Sequence, residues 1–328
     1  MTQIVYVGID VSLESLSVAS LDQQRQPVSL GEFANTASGL RHLLKRLQRL
    51  GRVHVCLEPT SCYHQPLAFL LDAADGVIVS LVNPRAVRNY ARSLMLRGKT
   101  DPGDAVVLAL YGAANRPEPW QAPAAEALEL RAVSRRIADL TDRRTALKNS
   151  RHAARKAAAS SLVINDLNLE LRQLARRLDR LGREARELIR RLPRFERRYQ
   201  LLVSVKGIGQ VSAIRILSEL GVVPDGLGKK QWLALAGLDP VPDDSGKHSG
   251  QRRISRQGNA RLRRALMMPA LTAIRYCPQV KAYYENLLQR CRCAKMQAVC
   301  AVMRKLLQAI WGMLNTDTPF NPAKFFAG

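Results

Sequence analysis

From Ala125 to Leu192 the chain runs without a proline and is built chiefly of Ala, Leu and Arg. These residues lose little side-chain freedom in a helix, and no proline breaks the backbone ladder, so the stretch predicts long α-helices. One unsupported helix of that length would bury little, so an antiparallel pair is expected, broken near Ala159–Asn165. The pair is strongly basic. Between residues 131 and 200 there are 20 Lys and Arg against 8 Asp and Glu, a surplus of 12 out of the whole chain's +24. A solvated coiled-coil face laced with i,i+4 ion pairs would use both signs. The excess of Arg favours a dimerisation pair whose outer face meets phosphates.

The whole-chain charge attracts polyanions. The basic residues run through the C-terminal two-thirds rather than along one amphipathic helix, which suits nucleic acid better than a membrane surface. No apolar run is long enough to span a bilayer, and no charged region precedes an apolar run at Met1-Thr2-Gln3-Ile4, so a cytoplasmic protein without membrane partners is expected. The six cysteines are expected to be thiols there. The Cys291-Arg-Cys293 spacing, with Cys300 beyond, is unsuited to zinc.

Upstream of the basic helices, residues 1–115 read as α/β. Ile4–Ile9 is an apolar run suited to a central strand, and Leu16–Leu21 and Pro27–Phe33 complete a meander. Leu40, Leu43, Leu44, Leu47 and Leu50 recur at helical spacing. Val53–Leu57 is a fourth strand. A helix over Pro66–Ala74 leads to a fifth, Val77–Val82, stopped by Asn83-Pro84. Helices follow from about Pro84 and Pro102. The order β-β-β-α-β-α-β-α is that of an RNase H-like fold. Three prolines in residues 116–124 mark a linker. The expected organisation is an RNase H-like domain over 1–115, a linker and basic coiled-coil helices over 116–200, and a mostly helical domain over 201–328.

Acidic residues stand where such a sheet would need them. Asp10 closes the first strand and Glu58 the fourth, and these strand ends are neighbours in an RNase H-like sheet. Asp101 and Asp104, three apart at a helix start, share a face. Singly, each has a plain role: N-cap for Asp101, first-turn acid for Asp104, solvated strand end for Glu58. Together, on so basic a chain, they suggest a site for Mg²⁺, or Mn²⁺, in phosphoryl transfer. An actin-like ATP site is disfavoured, because Val11-Ser12-Leu13-Glu14 after Asp10 lacks the glycine that wraps phosphates.

In the last third, Lys206-Gly207-Ile208-Gly209 before an apolar helix suggests a helix-hairpin-helix element whose amides hold a phosphate. A simple glycine turn is the plainer alternative. From Lys247 to Arg264 there are seven basic residues and no acid, among them Arg252, Arg253, Arg256 and Arg263. Ser245, Ser249 and Ser255 lie in or beside this stretch, and Gly246, Gly250 and Gly258 are expected to keep it flexible. Such a loop either binds DNA or supplies a nucleophile beside stabilising cations. Composition leaves the three serines open.

Read in order, Gly8-Ile9-Asp10, Leu57-Glu58-Pro59-Thr60 with Tyr63, Val82-Asn83-Pro84 and Lys99-Thr100-Asp101 with Asp104-Ala105 resemble the N-terminal half of the DEDD transposases of bacterial insertion sequences. Gly207-Ile208-Gly209, Ala236-Gly237-Leu238 with Pro240, Ser245-Gly246, Ile254-Ser255 with Gly258-Asn259, and Leu262-Arg263-Arg264-Ala265-Leu266 resemble their C-terminal half. The resemblance implies a RuvC-like domain holding Mg²⁺ on Asp10, Glu58, Asp101 and Asp104. It implies a nucleophilic serine at Ser245 that holds DNA as a phosphoserine, on a different domain from the carboxylates. It also implies a structured bridge RNA that pairs with donor and target DNA, assembly as dimers and tetramers, and a place at the bacterial nucleoid. The chain departs from the family at Pro59-Thr60-Ser61, where Ala-Thr-Gly is common, and at Pro102-Gly103 between the aspartates. Two other functions accommodate the same residues: a RuvC-like junction endonuclease that hydrolyses with water, and a non-catalytic nucleic-acid-binding protein.

Overall fold

The computed structural model describes residues 4–60, 62–95, 101–241, 244–245, 248–249, 253–290 and 293–325, with backbone alone at 101–102, 244–245 and 248–249. The chain forms two compact units, Met1–Ala122 and Pro123–Gly328.

The first unit is built on a five-stranded sheet of β1 (Val5–Val11), β2 (Ser15–Leu21), β3 (Pro27–Ala34), β4 (Val53–Leu57) and β5 (Val77–Leu81), in the order β3-β2-β1-β4-β5. The first three strands form an antiparallel meander, and β4 and β5 run parallel to β1. That arrangement agrees with the RNase H-like expectation. Helices α1 (Ala37–Gln48), α2 (Gln65–Asp72), α3 (Pro84–Ser93) and α4 (Asp101–Asn115) complete it. Strand periodicity sorts the faces. Val7, Ile9 and Val11 of β1 and Val53, Val55 and Leu57 of β4 form one core with leucines of α1 and α2. Tyr6, Gly8 and Asp10, with His54 and Cys56, alternate to the other face, which α4 covers. Burial there pushes the Cys56 thiol up to about 12. The strand-stopping Asn83 accepts the Arg85 N–H at 2.9 Å, so the same residue that ends the fifth strand segment caps α3.

The proline-rich segment after α4 runs along β5. The Trp120 N–H donates to the Val79 carbonyl at 2.7 Å, and its ring lies 5.7 Å from that of Phe69. The buried Ser80 hydroxyl donates to the Glu118 carbonyl at 2.7 Å. With that one proton used, the Ser80 oxygen accepts from His54 Nε2 at 2.8 Å, which assigns the His54 tautomer. Burial lowers the His54 pKa, so the ring is neutral.

The second unit opens with α5 (Ala125–Lys156) and α6 (Ser161–Arg191). Arg143 bonds Glu170 and Arg151 bonds Asn168, so the two pack antiparallel. There follow α7 (Pro193–Val203), α8 (Gln210–Leu220), α9 (Lys229–Ala236), the short strands β6 (Pro240–Val241), β7 (Asp244–Ser245), β8 (His248–Ser249) and β9 (Arg253–Ile254), then α10 (Ala260–Tyr276), α11 (Pro278–Gln289) and α12 (Lys295–Thr316). Among the described residues no helix is long and apolar enough to cross a membrane. One buried carboxylate ties the unit together. Glu219 on α8 accepts two bonds from Arg135 of α5, at 2.8 and 2.9 Å, and one from Asn259 at 2.7 Å. Asn259 in turn caps α10, its oxygen accepting from the Arg261 and Leu262 amides. Burial pushes the Glu219 carboxyl up, but the bonds from Arg135 and Asn259 outweigh it and the net shift is downward.

Candidate active site

The placement of the carboxylates follows from strand register. Gly8 pairs with Cys56 and Ile9 with Leu57, so one further step sets Glu58 beside Asp10. Both alternate onto the face that α4 covers. A Cβ at Gly8 would fall 2.0 Å from the Ala105 carbonyl oxygen, and one at Gly112 would fall 2.7 Å from Cys56 Sγ. Helix α4 therefore runs back along the sheet, with its first turn toward the C-terminal ends of β1 and β4. That turn carries Asp101 and Asp104. The helix dipole favours negative charge at this end of the sheet. Asp10, Glu58 and Asp104 are each half-buried. The side chain of Asp101 lies outside the described residues. Among the described residues, no group of three or more His, Cys, Asp or Glu side chains closes into a metal cluster.

Two residues that sequence reasoning did not single out as functional hold this arrangement. Asn35, after β3, donates to the Ser12 carbonyl at 2.8 Å and to the Tyr63 carbonyl at 3.3 Å. It thereby links the loop after Asp10 to the loop after Glu58. The other is Gly8, whose missing side chain lets α4 lie on the sheet; a small residue two places before an acid in an apolar strand is the only local signal. Gly8→Ala is expected to lower unfolding stability by about 1–3 kcal/mol through overpacking, read as a lower urea midpoint. An unchanged midpoint would mean that α4 does not approach the strand so closely.

In the second unit, Asp244–Ser245 pairs antiparallel with His248–Ser249, Ser245 standing opposite His248, and Pro240–Val241 pairs with Arg253–Ile254. Within the stretch expected as a flexible loop, the described segments form two short ladders; Gly246 and Gly250 lie outside the described residues. Gly258 is held close rather than free: a Cβ there would fall 2.4 Å from the Leu235 carbonyl oxygen at the end of α9. The Ser255 hydroxyl donates to Asp239 at 2.5 Å and accepts the Gln257 N–H, so it builds the turn before α10. The side chains of Ser245 and Ser249, and residues Lys247 and Arg252, lie outside the described residues.

Among the remaining basic positions, Lys206, Arg253 and Arg256 are exposed. Arg263 is half-buried and donates to the Ala236 carbonyl at 2.8 Å. Gly207 takes φ +110° and lies against α10, where a Cβ would fall 2.7 Å from the Pro269 oxygen. Gly209 is exposed, extended, and the N-cap of α8, with no side chain capping that helix. The segment between α7 and α8 is a tight glycine turn that leaves amides of α8 open to solvent.

Residues 7–156 match the transposase model of the IS110 DEDD class, and residues 199–285 match the model described as transposase IS116/IS110/IS902 family. The chain belongs to this transposase family. Its relatives include the pilin gene-inverting protein of Moraxella bovis, 28% identical over 323 residues that cover 96% of this chain and 97% of that one. The probable family 20 transposase of Pseudomonas aeruginosa is 26% identical over 96% of this chain and 98% of its own length. The insertion element IS900 uncharacterized 42 kDa protein of Mycobacterium paratuberculosis is 33% identical over 128 residues, 39% of this chain and 32% of that protein. In this transposase the first match takes in the sheet from Val7 onward and α5; the second takes in the glycine turn and the serine segment.

Proposed function

We propose that the chain cuts and rejoins DNA in a metal-dependent reaction in which Asp10, Glu58, Asp101 and Asp104 bind the cation and Ser245 is the nucleophile. The observation that carries the reading is the close seat of α4 on Gly8. It points a first turn bearing two aspartates at the strand ends bearing Asp10 and Glu58. A set of oxygen donors suits a hard cation, Mg²⁺ or Mn²⁺, and not zinc. When bound, such an ion supplies charge neutralisation at the scissile phosphate. The carboxylates hold it and take no part as nucleophiles.

In this reading the Ser245 oxygen attacks phosphorus, the strand's bridging oxygen departs and takes up a proton, and the DNA remains joined to Ser245 as a phosphodiester. The bond energy is conserved, so attack by a second strand end releases the serine and completes rejoining. Arg253 and Arg256, with Lys247 and Arg252, stabilise the charge on the phosphate. The Gly207–Gly209 turn, with Lys206, holds a backbone phosphate without reading sequence. The surplus arginines of α5 and α6 serve a bridge RNA and assembly into dimers and tetramers.

The test incubates the full chain with DNA carrying the element's ends and with RNA transcribed from its non-coding end. A protein–DNA adduct that survives detergent is expected with Mg²⁺ and not with EDTA. Cleavage without any adduct would move the assignment to a hydrolytic junction endonuclease, and neither product would leave a non-catalytic binder.

A further inference from the structure

The second half of α12 leaves a hollow beside it. Gly312 sits in the interior of this helix, and a Cβ there would meet nothing within 4 Å. Glycine is a poor helix residue, and here alanine would fit without strain. The open space belongs to a cavity of about 360 Å³ between α12, the start of α9 and the segment after Thr316. That volume lies in the range of small-ligand sites.

The lining has a definite chemistry. Trp311, Phe320 and Phe325 form walls, and Lys229, Lys305 and Lys324 stand around them, with no acid among the described lining residues. The Trp311 indole N–H donates to the Leu227 carbonyl at 2.9 Å, so the ring is fixed in its wall. Phe320 and Phe325 meet edge to face at 6.1 Å. Lys305 Nζ lies 4.4 Å from the Tyr283 ring centre and 5.7 Å from that of Phe325, so the cation is positioned by aromatic faces. Burial lowers its pKa.

Aromatic walls select a flat ring, and a ring of lysines selects an anion attached to it. A nucleotide has both, and a base within a duplex has its faces already stacked. We infer that this cavity takes an unpaired base of single-stranded nucleic acid, with neighbouring phosphates on Lys229, Lys305 and Lys324. The inference shares with the transposase reading only the premise that the chain handles nucleic acid. It assigns the single-strand contact to a place that no carboxylate or serine of that reading occupies.

The test titrates the full chain with labelled single-stranded DNA, its RNA counterpart and the blunt duplex, read by anisotropy. Gly312→Leu fills the hollow and is expected to weaken single-strand binding about tenfold while leaving duplex binding unchanged. Gly312→Ala is the folding control and is expected to melt about 2–4 °C higher. If Gly312→Leu loses its cooperative melt, Lys305→Met takes its place, with the same selective loss expected. Loss in the RNA arm alone assigns a guide strand, and loss in the DNA arm alone a displaced strand; either supports the inference. Unchanged single-strand affinity, or equal loss for duplex and single strand, overturns it. Adduct formation is scored separately: it persists if only the cavity is wrongly assigned, and fails with binding intact if only the transposase reading is wrong.

Discussion

Asp10→Asn is expected to reduce metal-dependent strand cleavage by about 10³-fold or more, which corresponds to about 4 kcal/mol of transition-state stabilisation. The expectation rests on what changes and what does not. Asparagine keeps the size of the side chain, and residue 10 lies on the α4 face, outside the Val7–Ile9–Val11 core. Folding should therefore survive, and the thermal melt should match the wild type. What is removed is one of the negative oxygen donors that the proposed function assigns to the cation, and a neutral amide is a weaker ligand for a hard cation. Raising Mn²⁺ should recover part of the activity, because the defect is one of cation affinity. Full activity in Asp10→Asn at limiting Mg²⁺ would remove the carboxylates from the chemistry and leave only a binding role.

Ser245→Ala is expected to abolish the covalent adduct, a loss on the order of 10⁴-fold or more, the scale on which removal of a nucleophile acts. Ser255→Ala is the informative companion. Its hydroxyl donates to Asp239 and accepts from Gln257, so its loss should cost about 1 kcal/mol of stability while the adduct still forms. Adduct in Ser245→Ala but not in Ser255→Ala would transfer the nucleophile's role to Ser255. Cleavage that continues in Ser245→Ala without adduct would point to attack by water.

Much of the layout is legible in local sequence pattern. Short apolar runs bounded by polar or turn residues mark the five strands within a residue or two, because central strands buried on both faces need apolar side chains at nearly every position. The proline-free run from Ala125 announces α5 and α6, because their composition favours helix at every position. The break between them is less legible. The pattern places it near Ala159–Asn165, whereas the helices part between Lys156 and Ser161, with Ala158 at φ +49°. Ala157-Ala158-Ala159 carries no local stop signal; the turn there is imposed by the packing of α6 back along α5. The segment around Ser245 shows the same limit. Its glycines read as flexibility, whereas Gly258 is needed for close approach to the end of α9.

The carboxylate site divides along the same line. Which residues carry negative oxygen, and that Asp10 and Glu58 fall within one residue of the ends of two strands, is written in the local pattern, since periodicity and chain breaks are properties of neighbouring residues. That α4 returns over Gly8, that Asn35 links the loops after both strands, and that Glu219 joins Arg135 to the cap of α10 are decided only in the folded chain. Each depends on groups 23 or more residues apart in sequence. Their approach is set by steric fit and by the cost of leaving a buried polar group unpaired, and neither leaves a mark in any short window of sequence.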